Sequence, residues 1–385
     1  MRKYFGTDGI RRIANTELSP ELVYKVAKAG AYVLSKHTDH APTILIGRDT
    51  RISGSLIESA MVAGFLSYGA NVKILGVMPT PAVAYLTRRF KADASVVISA
   101  SHNTYEFNGV KYFSNKGMKI PDELEEEIEE VMDSGKIDEL TAVNDKIGVS
   151  EIRTDLLEEY VYFFRKNFEE ELENLDKENF VIAVDTANGA TSVVAEKVFE
   201  KLGIKHHIIN NNPDGININD NCGSTHLEGL KKFVVENKCS LGVAYDGDGD
   251  RCLLVDENGN EIDGDKILAV ISNYLKKKGE LKKDTVVATV MSNLGLNKYT
   301  ENNGLKLVQT KVGDRYVLEE MMKNGYNLGG EQSGHVILLD YNPTGDGILT
   351  SIMFIKTLLE ENKKASELCN IIKLYPQVLV NAKVS

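Results

Sequence analysis

The chain has 385 residues, 42% of them hydrophobic and 26% charged, the composition of a soluble globular protein with about two to three domains. Its net charge of −11 argues against a nucleic-acid partner, which calls for a basic face, yet a few Arg and Lys in one cleft can still receive a small anion. Cys222, Cys239, Cys252 and Cys369 form no C-x-x-C pair, no run reaches the length of a membrane span, and the N-terminus lacks a signal peptide's apolar stretch, so a cytoplasmic protein with free thiols and no membrane partner is expected.

Residues 1–12 hold Gly6-Thr7-Asp8-Gly9 ahead of Arg11 and Arg12, a tight backbone course beside two cations. Ser19-Pro20-Glu21 then predicts a helix start, with Leu22, Val23, Val26, Ala29 and Val33 on one face. Thr43–Ile46 reads as a strand ending at Gly47-Arg48-Asp49-Thr50-Arg51, followed by a helix to about Tyr68. The strand Val72–Leu75 and the break at Pro79-Thr80-Pro81 come next. This alternation implies a helix-covered, mostly parallel sheet.

The apolar run Val96–Ile98 changes abruptly to Ser99-Ala100-Ser101-His102-Asn103, and Asn108-Gly109 turns the chain back into Val110-Lys111-Tyr112-Phe113. A hydroxyl at a strand's carboxyl end stands where open α/β sheets bind ligands, which makes Ser101 the candidate phosphoryl carrier. Ser and Asn are also ordinary turn formers, so the loop needs support from the rest of the chain. The acidic run 122–133 carries Leu124, Ile128 and Val131 at helical spacing and reads as a solvated helix with one buried stripe.

A second round begins at the strand Val181–Val184, continues through a helix over Thr191–Leu202, and reaches a strand around His207–Ile209. His206 and His207 are neighbours in a strand and point to opposite faces, which disfavours joint metal binding. The strand Leu241–Ala244 ends at Asp246-Gly247-Asp248-Gly249-Asp250-Arg251. Three carboxylates so close repel one another unless a cation sits among them, and hard oxygen ligands in that number suit Mg²⁺ or Ca²⁺. An EF-hand is excluded although Glu257 falls at the twelfth loop position: the sixth position is Arg251, and strands flank the loop. A phosphate on Ser101 needs a cation, and the aspartates need an anionic partner, so the two loops explain each other.

The third round runs from a helix beginning near Asp263, through the strands Thr285–Val290 and Leu305–Gln309, to Lys311-Val312-Gly313-Asp314-Arg315. There Lys311 and Arg315 can cradle an anion near a helix start. Gly330-Glu331-Gln332-Ser333-Gly334-His335 offers donors and acceptors suited to sugar hydroxyls, and a last helix covers about Gly347–Leu359.

Together, Phe5-Gly6-Thr7-Asp8-Gly9-Ile10-Arg11, the Ser101 loop, Asn108 to Lys111, Asp246 to Arg251, Val312 to Arg315 and Gly330 to His335 resemble, in order, the motifs of the α-D-phosphohexomutase superfamily, in the branch that acts on glucosamine phosphates. The resemblance implies three consecutive similar α/β domains with mixed, mostly parallel sheets around a central cleft: 1–150 with the phosphoserine loop, 151–255 with the metal loop, and 256–372 with the sugar-binding loop. It implies catalytic roles for Ser101, Lys111, Arg11 and His102, with Lys111 and Arg11 assisting proton transfer at the serine. One Mg²⁺ per chain would be held by Asp246, Asp248, Asp250 and the Ser101 phosphate. Arg251, Lys311, Gly313, Asp314, Arg315, Glu331, Ser333 and His335 would bind substrate.

The implied reaction interconverts glucosamine 6-phosphate and glucosamine 1-phosphate through glucosamine 1,6-bisphosphate, supplying UDP-N-acetylglucosamine and the cell wall. A homodimer is allowed but not specified. Thr104 stands where the family usually has Pro, and Arg12 where Gly is common. Residues 373–385 read as the start of a truncated fourth domain, since no Arg-x-Ser-Gly-Thr type loop occurs, and low turnover is expected of the chain as given. The rival readings are a phosphomannomutase/phosphoglucomutase and a non-catalytic sugar-phosphate-binding relative.

Overall fold

A computed structural model describes residues 3–6, 8–36 and 38–378. The first sheet contains β1 (Ile10–Ile13), β2 (Thr43–Arg48), β3 (Asn71–Val77), β4 (Ala94–Ile98), β5 (Phe107–Ser114) and β6 (Ser150–Ile152), in the order β1-β5-β4-β2-β3-β6. Helices α1 (Pro20–Ser35), α2 (Gly54–Tyr68), α3 (Thr80–Arg89) and α4 (Asp122–Asp133) accompany it. Ser19 caps α1, its side chain accepting from Leu22 N, and Pro20 occupies the first turn as the sequence predicts.

The next stretch folds as α5 (Leu157–Glu173), β7 (Val181–Asp185), α6 (Ala195–Lys201), β8 (Lys205–Ile209), α7 (Glu228–Glu236), β9 (Leu241–Tyr245), β10 (Cys252–Asp256) and β11 (Glu261–Ile262). Its sheet order is β11-β10-β9-β7-β8. Then come α8 (Gly264–Lys278), β12 (Thr285–Thr289), α9 (Leu294–Asn302), β13 (Lys306–Thr310), α10 (Asp314–Asn324), β14 (Leu328–Gly330), β15 (Val336–Leu338), α11 (Gly347–Glu361) and α12 (Ala365–Cys369). The third sheet runs β13-β12-β14-β15.

Each sheet joins parallel strands to an antiparallel hairpin, β4 with β5, β9 with β10, and β14 with β15, with β1 and β11 adding further antiparallel pairs to the first and second sheets. The connections of those three hairpins carry the Ser101 loop, the aspartate loop and the Glu331–His335 loop. All three chemistry-bearing segments therefore occupy the same topological position.

Alternation along the strands buries both faces of the first sheet. Ile44, Ile46, Val96 and Ile98 join the core under α1 and α2. Leu45, Val97, Leu75 and Phe113 face the other way, into a core continuous with Phe164, Leu241, Leu254, Val286 and Phe354 of the following units. That shared core fixes the hairpins relative to one another.

Three local readings are corrected. The helix expected over Thr191–Leu202 is a 3₁₀ turn, Ala190–Val193, followed by α6, because Ala190 N donates to Gly247 O (2.7 Å) and Val194 leaves helical geometry (φ −135°). Helix α4 buries two of its acids as well as Ile128 and Val131: Glu129 accepts from the backbone N–H of Lys3, Tyr4 and Phe5 (2.7 Å each), and Glu125 meets Arg315. Val378 carries no regular structure and is exposed, while Leu379 and Val380, read with it as a strand, lie outside the described residues. His206 packs beside Phe199 and His207 beside Phe233, on opposite sides of the second sheet.

Candidate active site

Ser101 is 2% exposed and adopts a left-handed backbone (φ 52°), a conformation that costs a non-glycine residue on the order of 1–3 kcal/mol. Surrounding groups impose it. Arg51, fully buried, donates Nε to Phe107 O (2.8 Å) and Nη2 to Ser101 O (3.3 Å), with a further short bond to Asn103 O. From the second unit, Asn219 Nδ2 donates to the carbonyls of Ser101 (2.9 Å) and Asn103 (2.8 Å). Gly247 closes against the same loop, where a Cβ would stand 2.5 Å from Ser101 O, so only glycine fits.

This clamp aims Ser101 Oγ at Asp246, and the hydroxyl donates to Asp246 Oδ2 at 2.7 Å. His102 Nδ1 lies 3.4 Å from the same oxygen. Burial, and then the charges of Arg251 and Arg11, push the His102 pKa down to about 4, which leaves the imidazole neutral at pH 7.

Asp246, Asp248 and Asp250 are buried, each with one oxygen in a cluster whose members lie within 4.8 Å of one another. Asp248 Oδ2 accepts from Thr80 Oγ1 (2.6 Å) and from Lys111 Nζ (2.9 Å). Among the described residues, Asp248 Oδ1 and Asp250 Oδ1 have no hydrogen-bond partner. Burial and the neighbouring charges of Asp250 and Asp248 push the Asp246 pKa well up, against the opposing charge of Arg251. Orphaned buried oxygens in an all-carboxylate set fit a hard divalent cation.

Lys111 extends from β5 into the cluster, 2.9 Å from Asp248, 3.3 Å from Asp8 and 3.7 Å from Asp250. Burial alone would lower its pKa, but these three carboxylates outweigh burial and raise it above the ordinary lysine value. Arg11 pairs with Asp8 (2.8 Å) and reaches Asn103 Oδ1 (3.4 Å).

The third unit closes the cleft. Cys252 N donates to Gly334 O (3.0 Å), joining the second and third hairpins, and a Cβ at Gly334 would stand 2.3 Å from Cys252 O. Gly313 N donates to Glu331 Oε1 (3.1 Å), which brings two of the segments read as substrate-binding together. His335 is buried with Nε2 3.4 Å from Asp314 Oδ2 and 4.0 Å from Asp250 Oδ2. Ser333 is half-buried, and Arg251 Nε, 4.0 Å from Asp250 Oδ1, has no hydrogen-bond partner among the described residues.

Two positions differ from the sequence reading. Arg315 turns to α4, pairing with Asp122 and Glu125. Lys311 is exposed, with its ammonium 5.9 Å from the Tyr316 ring centre. Arg315 is thereby drawn to acids on the neighbouring unit, away from the surface position of Lys311.

Sequence reasoning overlooked Thr80, Arg51, Asn219, Asp8 and Lys119. The Gly47–Arg51 segment was visible as a polar strand end, the position that favours ligands, and could have pointed to Arg51. Asp8 lies inside the Phe5–Arg11 motif, which could have pointed to it, whereas Thr80, Asn219 and Lys119 carry no local signal.

Comparison with known proteins matches residues 2–138, 158–259 and 263–375 to the phosphoglucomutase/phosphomannomutase alpha/beta/alpha domains I, II and III respectively. The phosphoglucosamine mutase of Ruminiclostridium cellulolyticum is 51% identical, with 100% of this chain and 85% of the relative aligned. That of Clostridium botulinum (strain Eklund 17B / Type B) is 54% identical over the same shares, 100% and 85%. Among solved structures, a phosphoglucomutase/phosphomannomutase family protein from Burkholderia thailandensis superposes with a TM-score of 0.81 at 21% identity, over 97% of this chain and 80% of that one. Aspergillus fumigatus N-acetylphosphoglucosamine mutase, in complex with GlcNAc-6P and magnesium, gives 0.67 at 16% identity, over 98% and 81%.

Proposed function

The chain belongs to the phosphoglucomutase/phosphomannomutase family, and from that premise we propose how its cleft interconverts glucosamine 6-phosphate and glucosamine 1-phosphate. The enzyme is an isomerase that works by phosphoryl transfer. Ser101 carries the phosphate. Phospho-Ser101 gives its phosphoryl group to the free hydroxyl of the sugar phosphate, the P–O bond to Oγ breaking as the bond to the sugar oxygen forms. The resulting glucosamine 1,6-bisphosphate turns over in the cleft, and its other phosphate returns to Ser101: the P–O bond to the sugar breaks as the bond to Oγ forms, and the serine proton passes by way of His102 to the sugar oxygen. The single observation that carries this reading is Ser101 Oγ held 2.7 Å from Asp246, within a buried three-aspartate cluster.

Asp246, Asp248 and Asp250 are the residues to hold one Mg²⁺, which supplies charge neutralisation for the transferring phosphoryl group. Lys111, paired with three carboxylates at the cluster, contributes a positive charge that steadies the phosphate and is placed to assist proton transfer at the serine. Arg11 adds a second cation, oriented by Asp8. His102, neutral and beside Oγ, is the group placed to take the serine proton when phosphate returns.

Glu331, Ser333, Gly313, Asp314 and His335 form the sugar-facing wall, and Arg251 meets the transferring phosphate. Most of the catalytic effect in such a site is positioning and electrostatics. The product would enter synthesis of UDP-N-acetylglucosamine for the bacterial cell wall, in the cytoplasm, with a homodimer as the assembly to test. No described helix is long and apolar enough to cross a membrane.

The test is intact mass with peptide mapping after incubation with Mg²⁺ and glucosamine 1,6-bisphosphate. One phosphoryl group on Ser101, absent from Ser101→Ala, is expected. A phosphate elsewhere, or an active Ser101→Ala enzyme, overturns the carrier role. Faster turnover of glucose or mannose phosphates than of glucosamine phosphates overturns the substrate.

A further inference from the structure

Lys119 lies outside every motif that drew attention in the sequence. The turn Ser114–Met118 brings it back against β5, where Phe113 and Lys119 form an isolated antiparallel bridge. Its side chain is 11% exposed, and its ammonium donates to two carboxylates at once: Asp8 Oδ1 (2.5 Å), from the first unit, and Asp314 Oδ2 (2.7 Å), at the start of α10 in the third. Asp8 uses its other oxygen for Arg11 and Lys111, and Asp314 touches His335. A continuous ionic chain thus runs Lys111–Asp8–Lys119–Asp314–His335, from the phosphate side of the cleft to the sugar side.

Below this chain the two units are separated by a cavity of about 340 Å³ whose apolar wall includes Met118, Pro121, Leu318, Met322 and Ile337. Apolar packing does not fill the gap at this point, where the Lys119 pairs, beside those of Arg315 with Asp122 and Glu125, bridge the two units. Exposed ion pairs contribute little, but a nearly buried ammonium shared by two carboxylates is a different case: without it, the two acids face each other at short range.

We propose that Lys119 is a positioning residue for phosphoryl transfer, an ionic latch that through Asp8 and Asp314 fixes the distance between the Ser101 hairpin and the sugar-facing loops of the third unit. This rests on the phosphoserine reading given above. Lys119 touches neither the metal aspartates nor Ser101 in the structure, so losing it leaves cation binding intact. The sugar phosphate still binds to the third unit but lies out of line with Ser101, and misplacement of about 1 Å costs up to about 100-fold in rate.

The experiment has two parts. In the first, spin labels are placed on Lys116→Cys and Lys323→Cys, two exposed positions on the two units, and their distance distribution is measured without substrate. Lys119→Met is expected to broaden or lengthen the distribution relative to the parent; an unchanged distribution overturns the latch whatever the enzyme acts on.

In the second, kcat and KM are measured for Lys119→Met, Asp314→Asn and the double variant, with melting temperature and Mg²⁺ binding as fold controls. Lys119→Met should lower kcat about 10- to 100-fold and change KM less than about threefold, and the double variant should be no slower than the worse single. A kcat within threefold of the parent, or losses that multiply, overturns the proposal. Lys119→Gln serves if the methionine variant does not fold. A parent that takes no phosphoryl group from glucosamine 1,6-bisphosphate overturns the functional reading, and the distance measurement still decides the latch.

Discussion

Ser101 Oγ and Asp246 Oδ2 stand 2.7 Å apart at the tips of hairpins from two different sheets. The hydroxyl proposed to carry the phosphate and a carboxylate of the candidate metal cluster meet only when two folded units close on each other. The groups that maintain that meeting are therefore as open to test as the groups that react.

Thr80 Oγ1 donates to Asp248 Oδ2 at 2.6 Å, and Thr80 N to Asp248 O at 2.9 Å, so α3 of the first unit orients a carboxylate of the candidate metal cluster in the second. Thr80→Val removes the side-chain bond at nearly constant volume. Mg²⁺ affinity, measured by calorimetry, should fall about 10- to 100-fold, the usual cost of a lost supporting hydrogen bond at a metal site. An unchanged affinity would mean that Lys111 orients Asp248 without help.

Gly247→Ala places a methyl group 2.5 Å from Ser101 O and 2.7 Å from Asn219 Nδ2. Backbone on one side and a doubly bonded amide on the other leave little room to yield. Phosphorylation of Ser101 should slow at least tenfold while the Mg²⁺ site survives, a split that separates loop displacement from loss of the metal.

Arg51 and Asp49 are both fully buried and paired, and burial raises the Asp49 pKa even beside its arginine. Removing the cation alone strands a carboxylate. Arg51→Met should destabilise the protein by about 3–5 kcal/mol in a denaturant titration, and Arg51→Met with Asp49→Asn should recover part of that loss. No recovery in the double variant would place the whole effect on the Ser101 and Phe107 carbonyls that Arg51 also binds.

Asp346 caps α11, accepting from Leu349 N (3.0 Å) and from the Tyr160 hydroxyl (2.8 Å), yet burial pushes its pKa from 3.8 up to about 6. The folded state holds this proton more tightly than the unfolded chain. Its contribution is therefore full below about pH 4, declines as pH rises towards 6, and remains as a cost of about 3 kcal/mol at pH 7. The stability difference between Asp346→Asn and the parent should grow in favour of the variant across that window. A difference independent of pH would show that the carboxylate's hydrogen bonds offset its burial.

Several features were legible along the chain because they are local. The Ser19-Pro20 helix start, the β-branched run of β4 and the Asp-Gly-Asp-Gly-Asp spacing depend on residues within a turn or two of one another, where capping, pleat and like-charge repulsion act. Other expectations failed where a distant charge intervened. Arg315 sits beside a glycine at a helix start, yet Asp122 and Glu125 claim its guanidinium. Acids of α4 that looked solvated are buried because Lys3, Tyr4 and Phe5 bring unpaired N–H groups to Glu129.

By itself the sequence determined the strand–helix rhythm, the three polar loops and which hydroxyl and carboxylates are the candidates for phosphate and metal, since these are matters of periodicity and of which side chains can do the chemistry. Tertiary structure alone decided that Thr80 supports Asp248 from 168 residues away in the chain, that Asn219 grips the Ser101 loop, and that Lys119 joins Asp8 to Asp314. Those contacts have no sequence period. They exist because one continuous core packs three sheets with their hairpins converging, and in that low-dielectric meeting place each buried charge must find its partner wherever the fold puts it.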